Sequence, residues 1–415
     1  MKIAIIGGGA SGMSLAYLLR KKHDITIYEK NPFLGGNIRT INKNVDGQSI
    51  DSDTIIDNGV LEFEKHEFVN FHKLLHELKV PYTSPPATGS TGLFLGDGQY
   101  LLSHSNIQRN FPRTFDKIRE YSKLLLRAGP GYLNFMLKSK DYLKYEHTPF
   151  ESFASDSLFY KWWRLILMYS YSLDYHQTAN MPTEFCVPVI KRFCNAGTQW
   201  TYITGGVYTY IDKIVKQFDG QIFTNINIES IQRTSEGVKI KTSDGTTNHF
   251  HKVVFATTPS QVLKLLSDPT DEEKKRFGNS ETNTAKTVIH TDNSMYKPFK
   301  IKRYSEFDLF YREGQKHSGY NAYLNRLLSK EDLKTEYHMS FNLEDLIDSD
   351  SILNEQVHET PLYTVEALRY RDEVKSDNGS HHTFHVGAYL YDGLHEGAIE
   401  SAMAVSKLLG GVILN

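Results

Sequence analysis

The sequence predicts an α/β fold, α+β overall, in which a parallel-sheet domain is interrupted by a mixed α/β insertion. Three observations predict it. A strand–helix–strand unit occupies the first thirty residues, strand-like pieces return between 221 and 256, and a strand, glycine turn and helix lie near the end.

Lys2–Ile6 reads as a buried strand, a short β-branched run stopped by glycine. Ser11–Arg20 reads as a helix and Asp24–Glu29 as the next strand. Lys65–Leu78 reads as helical. So does Phe115–Ala128, with Phe115, Ile118, Tyr121 and Leu125 at helical spacing. A long aromatic-rich stretch runs from Phe150 to Tyr175. Tyr208–Phe218 reads as a helix. The strand-like pieces Gln221–Phe223, Ile226–Arg233, Val238–Thr242 and Lys252–Ala256 follow, two of them flanking the turn Ser243-Asp244-Gly245. Phe384–Leu390 is a final strand and Ala398–Leu409 a final helix.

The chain's 415 residues suit two domains and a substantial core. A net charge of -2 gives no general attraction to nucleic acid. Cys186 and Cys194 are the two cysteines, too few for a disulfide framework or a zinc cluster, so no metal site is expected. They read as small buried apolar side chains, and their scarcity fits a reducing cytoplasm. The apolar opening is far too short for a signal peptide, and no run reaches ~18 apolar residues. A cytoplasmic protein, at most peripheral to a membrane, is expected.

Gly7, Gly9 and Gly12 form G-x-G-x-x-G between a strand and a helix, with Glu29 closing the next strand. That context makes the motif a dinucleotide fingerprint. Gly7 permits the tight turn, Gly9 lets backbone approach a pyrophosphate, and Gly12 allows close helix–strand packing. Ala10 and Ser11 open the helix, whose N-terminus faces the phosphates. Glu29 accepts from ribose hydroxyls and repels a 2′-phosphate, an exclusion that the adjacent Lys30 weakens.

Three further features point to FAD rather than NAD. Gly35-Gly36-Asn37 follows the second strand and lets backbone approach an extended cofactor. Asn58-Gly59-Val60 forms another turn shortly after. The third is the segment from Gly387-Ala388 to Gly393-Leu394-His395-Glu396-Gly397-Ala398, a second helix start able to face the flavin edge where negative charge accumulates on reduction.

These motifs resemble the FAD-dependent amine oxidase and protoporphyrinogen oxidase superfamily. Interior segments, among them Gly197–Ile203, Phe255–Pro269, Val288–Asp292 and Ala322–Leu327, are similar to bacterial predicted NAD/FAD-binding proteins associated with cyclopropane-fatty-acid synthases. The resemblance spans nearly the whole chain. It implies a Rossmann-type FAD-binding domain with an inserted mixed α/β substrate domain, and FAD held non-covalently at the glycine turns. It also implies a contact from Ile228 to adenine. Residues 1–70, 205–270 and 372–415 are assigned to the FAD domain; 71–204 and 271–371 are assigned to the substrate domain.

Few catalytic side chains are needed, because flavin supplies the redox chemistry. Lys286 occupies the place where amine oxidases often carry a lysine near the flavin, or it is a solvated surface lysine. His290 and Asp292, two apart on a strand, share a face and form either a polar pair above the flavin or a structural one. His395 sits in the flavin-edge turn. Leu394 stands where many amine oxidases place an aromatic residue, which argues against a simple primary amine. Phe159–Tyr169 either packs a core or lines an apolar channel. Residues 109–145 carry a local excess of six positive charges, suited to a solvated face, an acidic partner or anionic headgroups. The expected function is an FAD-dependent oxidoreductase taking hydride from a carbon of a small apolar, acyl-lipid-type substrate onto flavin N5. A flavin-dependent isomerase, an amine or amino-acid oxidase, and a flavin-binding partner of a methyltransferase stay open.

Overall fold

The computed structural model describes residues 1–47, 50–84, 89–194, 198–312, 317–328 and 333–414. Gly197, the first residue of the segment Gly197–Ile203, lies outside them.

The β-branched run Lys2–Ile6 forms the middle strand of a five-stranded parallel sheet. Its order is Gln221–Phe223, Asp24–Tyr28, Lys2–Ile6, Lys252–Phe255 and Thr383–His385. Ile3, Ala4 and Ile5 are fully buried, as a strand covered on both faces requires. Helix Ala10–Leu19 follows the first strand. Its apolar face packs with Ile399, Ala402 and Val405 of the final helix, His395–Leu408, in one core. Segments far apart in sequence therefore meet along one sheet.

Ile228–Thr234, Gly237–Thr242 and Thr247–Phe250 make a separate three-stranded antiparallel sheet. The strand after the Ser243-Asp244-Gly245 turn is thus Thr247–Phe250, not the piece starting at Lys252. Its sequence, Thr-Asn-His-Phe, is too polar to reveal a strand. The last strand is also shorter than expected: it ends at His385, and Ala388–Leu390 turns tightly before a helix that starts at His395.

A seven-stranded sheet stands apart, ordered Ile352–Pro361, Thr282–His290, His338–Phe341, Gly319–Tyr323, Phe307–Phe310, Thr91–Phe94 and Tyr100–Leu102. Helices Thr114–Lys138 and Leu158–Tyr171 pack near it. Helix Thr114–Lys138 runs well past Ala128, where its sequence reading ended, and its buried face differs as well. Phe115, Ile118 and Leu125 are exposed, and the buried face carries Glu120, Ala128, Gly131 and Phe135 instead.

Candidate functional site

The glycine turns converge. Gly7 adopts φ +108°, and a side chain there would meet the Ala256 carbonyl oxygen at 2.6 Å. Gly35 N–H donates to the Gly8 carbonyl at 2.8 Å, which brings Gly9 and Gly36 face to face. The result is a bare backbone cradle, open above Gly9.

Glu29 closes one side. Its buried carboxylate accepts from Gly8 N–H at 2.8 Å and from Asn31 N–H and Nδ2 at 2.8 and 2.9 Å. A carboxylate offers about four acceptor sites, so capacity remains for a ribose hydroxyl. Strand Ile352–Pro361 covers the other side. Lys30 Nζ pairs with Glu359 at 2.6 Å, and Asn37 Nδ2 donates to the Glu359 carbonyl at 2.8 Å.

Arg39 is a site residue that sequence reading missed. Its guanidinium stacks over the Phe33 ring at 4.4 Å and lines the cradle. Nε and Nη1 are buried without a hydrogen-bond partner among the described residues. Burial lowers its pKa to about 10, against the pull of Glu29 and Glu359. A buried cation with idle donors fits an anionic ligand such as the FAD pyrophosphate.

Cradle and final helix border one cavity of ≈ 1540 Å³. That exceeds the usual ~300–1,000 Å³ of a single small-ligand pocket, so it holds a dinucleotide with room to spare. Gly7, Gly9, Ala10, Ser11, Glu29, Lys30, Gly35, Gly36, Asn37, Gly59, Val60 and Ile228 all line it, as do Gly387, Ala388, Gly393, Leu394, His395 and Ala398. The first N–H groups of the final helix lack acceptors within it and carry its positive end. Asp392 Oδ1 accepts from Leu394 and Gly397 N–H at 2.9 and 3.0 Å and holds that turn. No aromatic stands at Leu394. Tyr171 and Tyr363 reach the turn from elsewhere and donate to the Asp392 and Gly393 carbonyls at 2.9 and 3.2 Å.

Five expected site residues turn away from the cavity. Gly12 packs against the Gly7 carbonyl, the helix–strand contact assigned to it. The Asn58 side chain is buried, accepting from the Thr287 hydroxyl at 2.5 Å. The Glu396 carboxylate accepts from Asn70 N–H at 2.8 Å and Phe71 N–H at 3.0 Å, capping helix Val69–Glu77. Lys286 is exposed and paired with Glu355 at 3.1 Å. The strand's alternation directs its neighbour Thr287 inward, to His358 Nε2 at 2.9 Å. His290 is fully buried, 2.9 Å from Ser340 Oγ and stacked on His338, while Asp292 accepts from Ser294 N–H at 2.7 Å instead of pairing with it. His395 does reach the cavity. Its Nε2 lies 2.9 Å from the Tyr210 hydroxyl, and burial lowers its pKa to about 3, so the ring is neutral at ordinary pH.

Beyond the cradle the walls turn apolar. Phe159, Trp162, Trp163, Ile166 and Tyr169 of helix Leu158–Tyr171 face the cavity, while Tyr160, Leu165 and Leu167 pack the core. The aromatic stretch serves both purposes on opposite faces. Glu62 brings a carboxyl group to this part of the cavity, alongside hydroxyls such as those of Thr91, Ser103 and Ser170. It accepts from the Tyr202 hydroxyl at 2.8 Å, and burial, then the Glu306 carboxylate, push its pKa up to about 8.

The sequence pattern of the family described as flavin containing amine oxidoreductase matches residues 10–294, well over half the chain. No curated protein sequence matches. Putrescine oxidase bound to putrescine shares the fold at TM-score 0.69 and 11% identity, covering 99% of each chain. Cyclohexylamine oxidase from Brevibacterium oxydans IH-35A does so at 0.69 and 13%, again covering 99% of both. A CLA-producing fatty acid isomerase from P. acnes gives 0.65 and 14%, covering 98% of this chain and 97% of its own. With a two-ended dinucleotide cradle and this match, the chain belongs to the flavin containing amine oxidoreductase family and is an FAD-dependent oxidoreductase.

Proposed function

We propose that the substrate is apolar and acyl-chain-like, and that it is oxidised at a carbon centre. The observation that carries this reading is the continuity of one cavity from the Gly9 and Arg39 cradle to the wall formed by Trp162, Trp163 and Ile166. Bound FAD supplies a hydride acceptor there. The aromatic side chains exclude water and align a long chain by contact, since they offer it few charges. Glu62, held neutral below about pH 8, donates or accepts one hydrogen bond without repelling a carboxylate head.

Anaerobic titration of the flavin-loaded protein tests this. Long-chain acyl lipids are expected to bleach the flavin, and putrescine and cyclohexylamine are not. Bleaching by amines alone overturns the reading. Glu62 favours that second outcome in one respect, because a bound ammonium would draw off its proton and pair with it. A shifted double bond without lasting bleaching would instead mark an isomerase, a reading in keeping with the fold shared with the fatty acid isomerase.

The resemblance to proteins associated with cyclopropane-fatty-acid synthases supports an acyl substrate and a methyltransferase partner. Co-purification with such a methyltransferase, absent from a control protein, is the expected result.

A further inference from the structure

We propose that helix Thr114–Lys138 lies flat on an anionic phospholipid surface and opens the cavity to it. Nine of the seventeen large apolar side chains exposed among the described residues fall between 115 and 143. Phe115, Leu126, Leu133 and Leu137 are 76, 76, 63 and 70% exposed, and Ile118 and Leu125 are 58 and 70% exposed. At 100° per residue these six occupy one continuous arc of the helix. Scattered exposed leucines are ordinary, whereas a continuous apolar stripe marks an interaction surface.

The helix is fixed to the protein by its opposite face. Phe135 is fully buried, and a side chain on Gly131 would overlap Ser157 and approach Phe159 at 2.6 Å. The stripe therefore faces outward by construction rather than by fraying.

Charge selects the occupant. Arg119, Lys123 and Arg127 recur every four residues along one edge of the stripe and are exposed. The surrounding segment, 109–145, carries six net positive charges on a chain of net charge -2. An apolar stripe edged with basic residues is the pattern of helices that lie in a membrane interface, where each cation near the surface contributes about 1 kcal/mol. A second copy is a poor occupant, because a twofold interface would set this basic edge against itself. No helix of the described residues is long and apolar enough to cross a membrane, so contact is along the surface.

The stripe adjoins the site. Tyr121, Leu124, Leu125, Ala128 and Tyr132 of the same helix line the cavity, and Leu125 is at once cavity wall and exposed surface. A lipid chain leaving the bilayer would meet the cavity without crossing water. This portal role rests on the acyl-substrate reading; the docking does not.

Flotation of the flavin-loaded full chain with phosphatidylcholine vesicles, with and without phosphatidylglycerol, tests the docking. Binding to the phosphatidylglycerol vesicles, weakened by salt, is expected. Leu126→Glu and Leu133→Glu line neither core nor cavity, and each should lower that binding about tenfold or more with melting temperature and flavin spectrum unchanged. Arg119→Glu with Lys123→Glu should abolish the preference for phosphatidylglycerol. Absent vesicle binding, binding indifferent to all these changes, or a dimer dissolved by Leu126→Glu would each overturn the proposal. Flotation needs no turnover, so amine-only bleaching would sink the substrate reading and leave this result standing.

Discussion

Gly12 lies so close to the Gly7 carbonyl oxygen that a methyl group on Gly12 would overlap it. Three residues away, a methyl on Gly9 would have no neighbour nearer than the Gly36 Cα at 3.6 Å, and the Gly9 backbone, φ -80°, suits alanine. The two glycines therefore separate folding from binding. Gly12→Ala should destabilise the protein by about 1–3 kcal/mol, as overpacking does, and lower its melting temperature with or without FAD. Gly9→Ala should melt like the parent without FAD and bind FAD far more weakly, because the methyl fills the space the cofactor needs.

Arg39 with its idle donors costs stability until an anion reaches it. Arg39→Met keeps the packing on Phe33 and removes the buried charge. The cofactor-free variant should be as stable as the parent or more so. Its FAD affinity, measured by flavin fluorescence titration, should fall by about 2–4 kcal/mol, the scale of a lost buried charge contact.

Five histidines are buried neutral. Burial lowers His395 and His338 to about 3, and His290, His358 and His385 to about 4, from an ordinary 6.5. The unfolded chain takes up these protons first on acidification. Their contribution is therefore fully present above pH 6.5 and lost as pH falls through 6.5 toward 4 and below. Asp57 and Asp308, raised to about 6 by burial, and Glu62, raised to about 8, oppose this in part. Melting temperature should drop between pH 7 and 4.5, and His290→Gln should shallow the drop.

Glu62 has the opposite sign. Its folded pKa of about 8 lies above the ordinary 4.5, so its contribution is full below pH 4.5 and lost as pH rises through 8. Glu62→Gln should hold its melting temperature better than the parent from pH 6 to 9. Binding of an apolar ligand to the parent should weaken above pH 8 and stay level in the variant.

Lys286 should be dispensable. Its ion pair with Glu355 is exposed, and such pairs contribute about 0–1 kcal/mol. Lys286→Ala should leave the rate of anaerobic flavin reduction within about twofold. A hundredfold loss would return the lysine to the chemistry.

The cradle was legible because its signals are local. A β-branched strand, a glycine turn and an acid closing the next strand are neighbours in sequence before they are neighbours in space. Lys286 and His290 lie off the cavity because strand alternation separates two faces without saying what either face meets: Lys286 meets solvent and Glu355, and His290 is buried against Ser340 and His338. Arg39 and Glu62 stood unmarked, since their burial depends on strands hundreds of residues away. The helix after Arg113 was readable as amphipathic, but periodicity is blind to whether an apolar stripe meets protein or solvent.

Strand Thr383–His385 completes the parallel sheet beside Lys252–Phe255, and the helix behind it supplies the second turn of the cradle. Every residue before Thr383 leaves the ribosome without them. A nascent chain thus carries an edge with unpaired backbone groups and half a ligand clasp until residues 383–408 emerge. Flavin capture should therefore wait on synthesis of helix His395–Leu408, and plentiful FAD should not ease chaperone dependence before that helix has emerged.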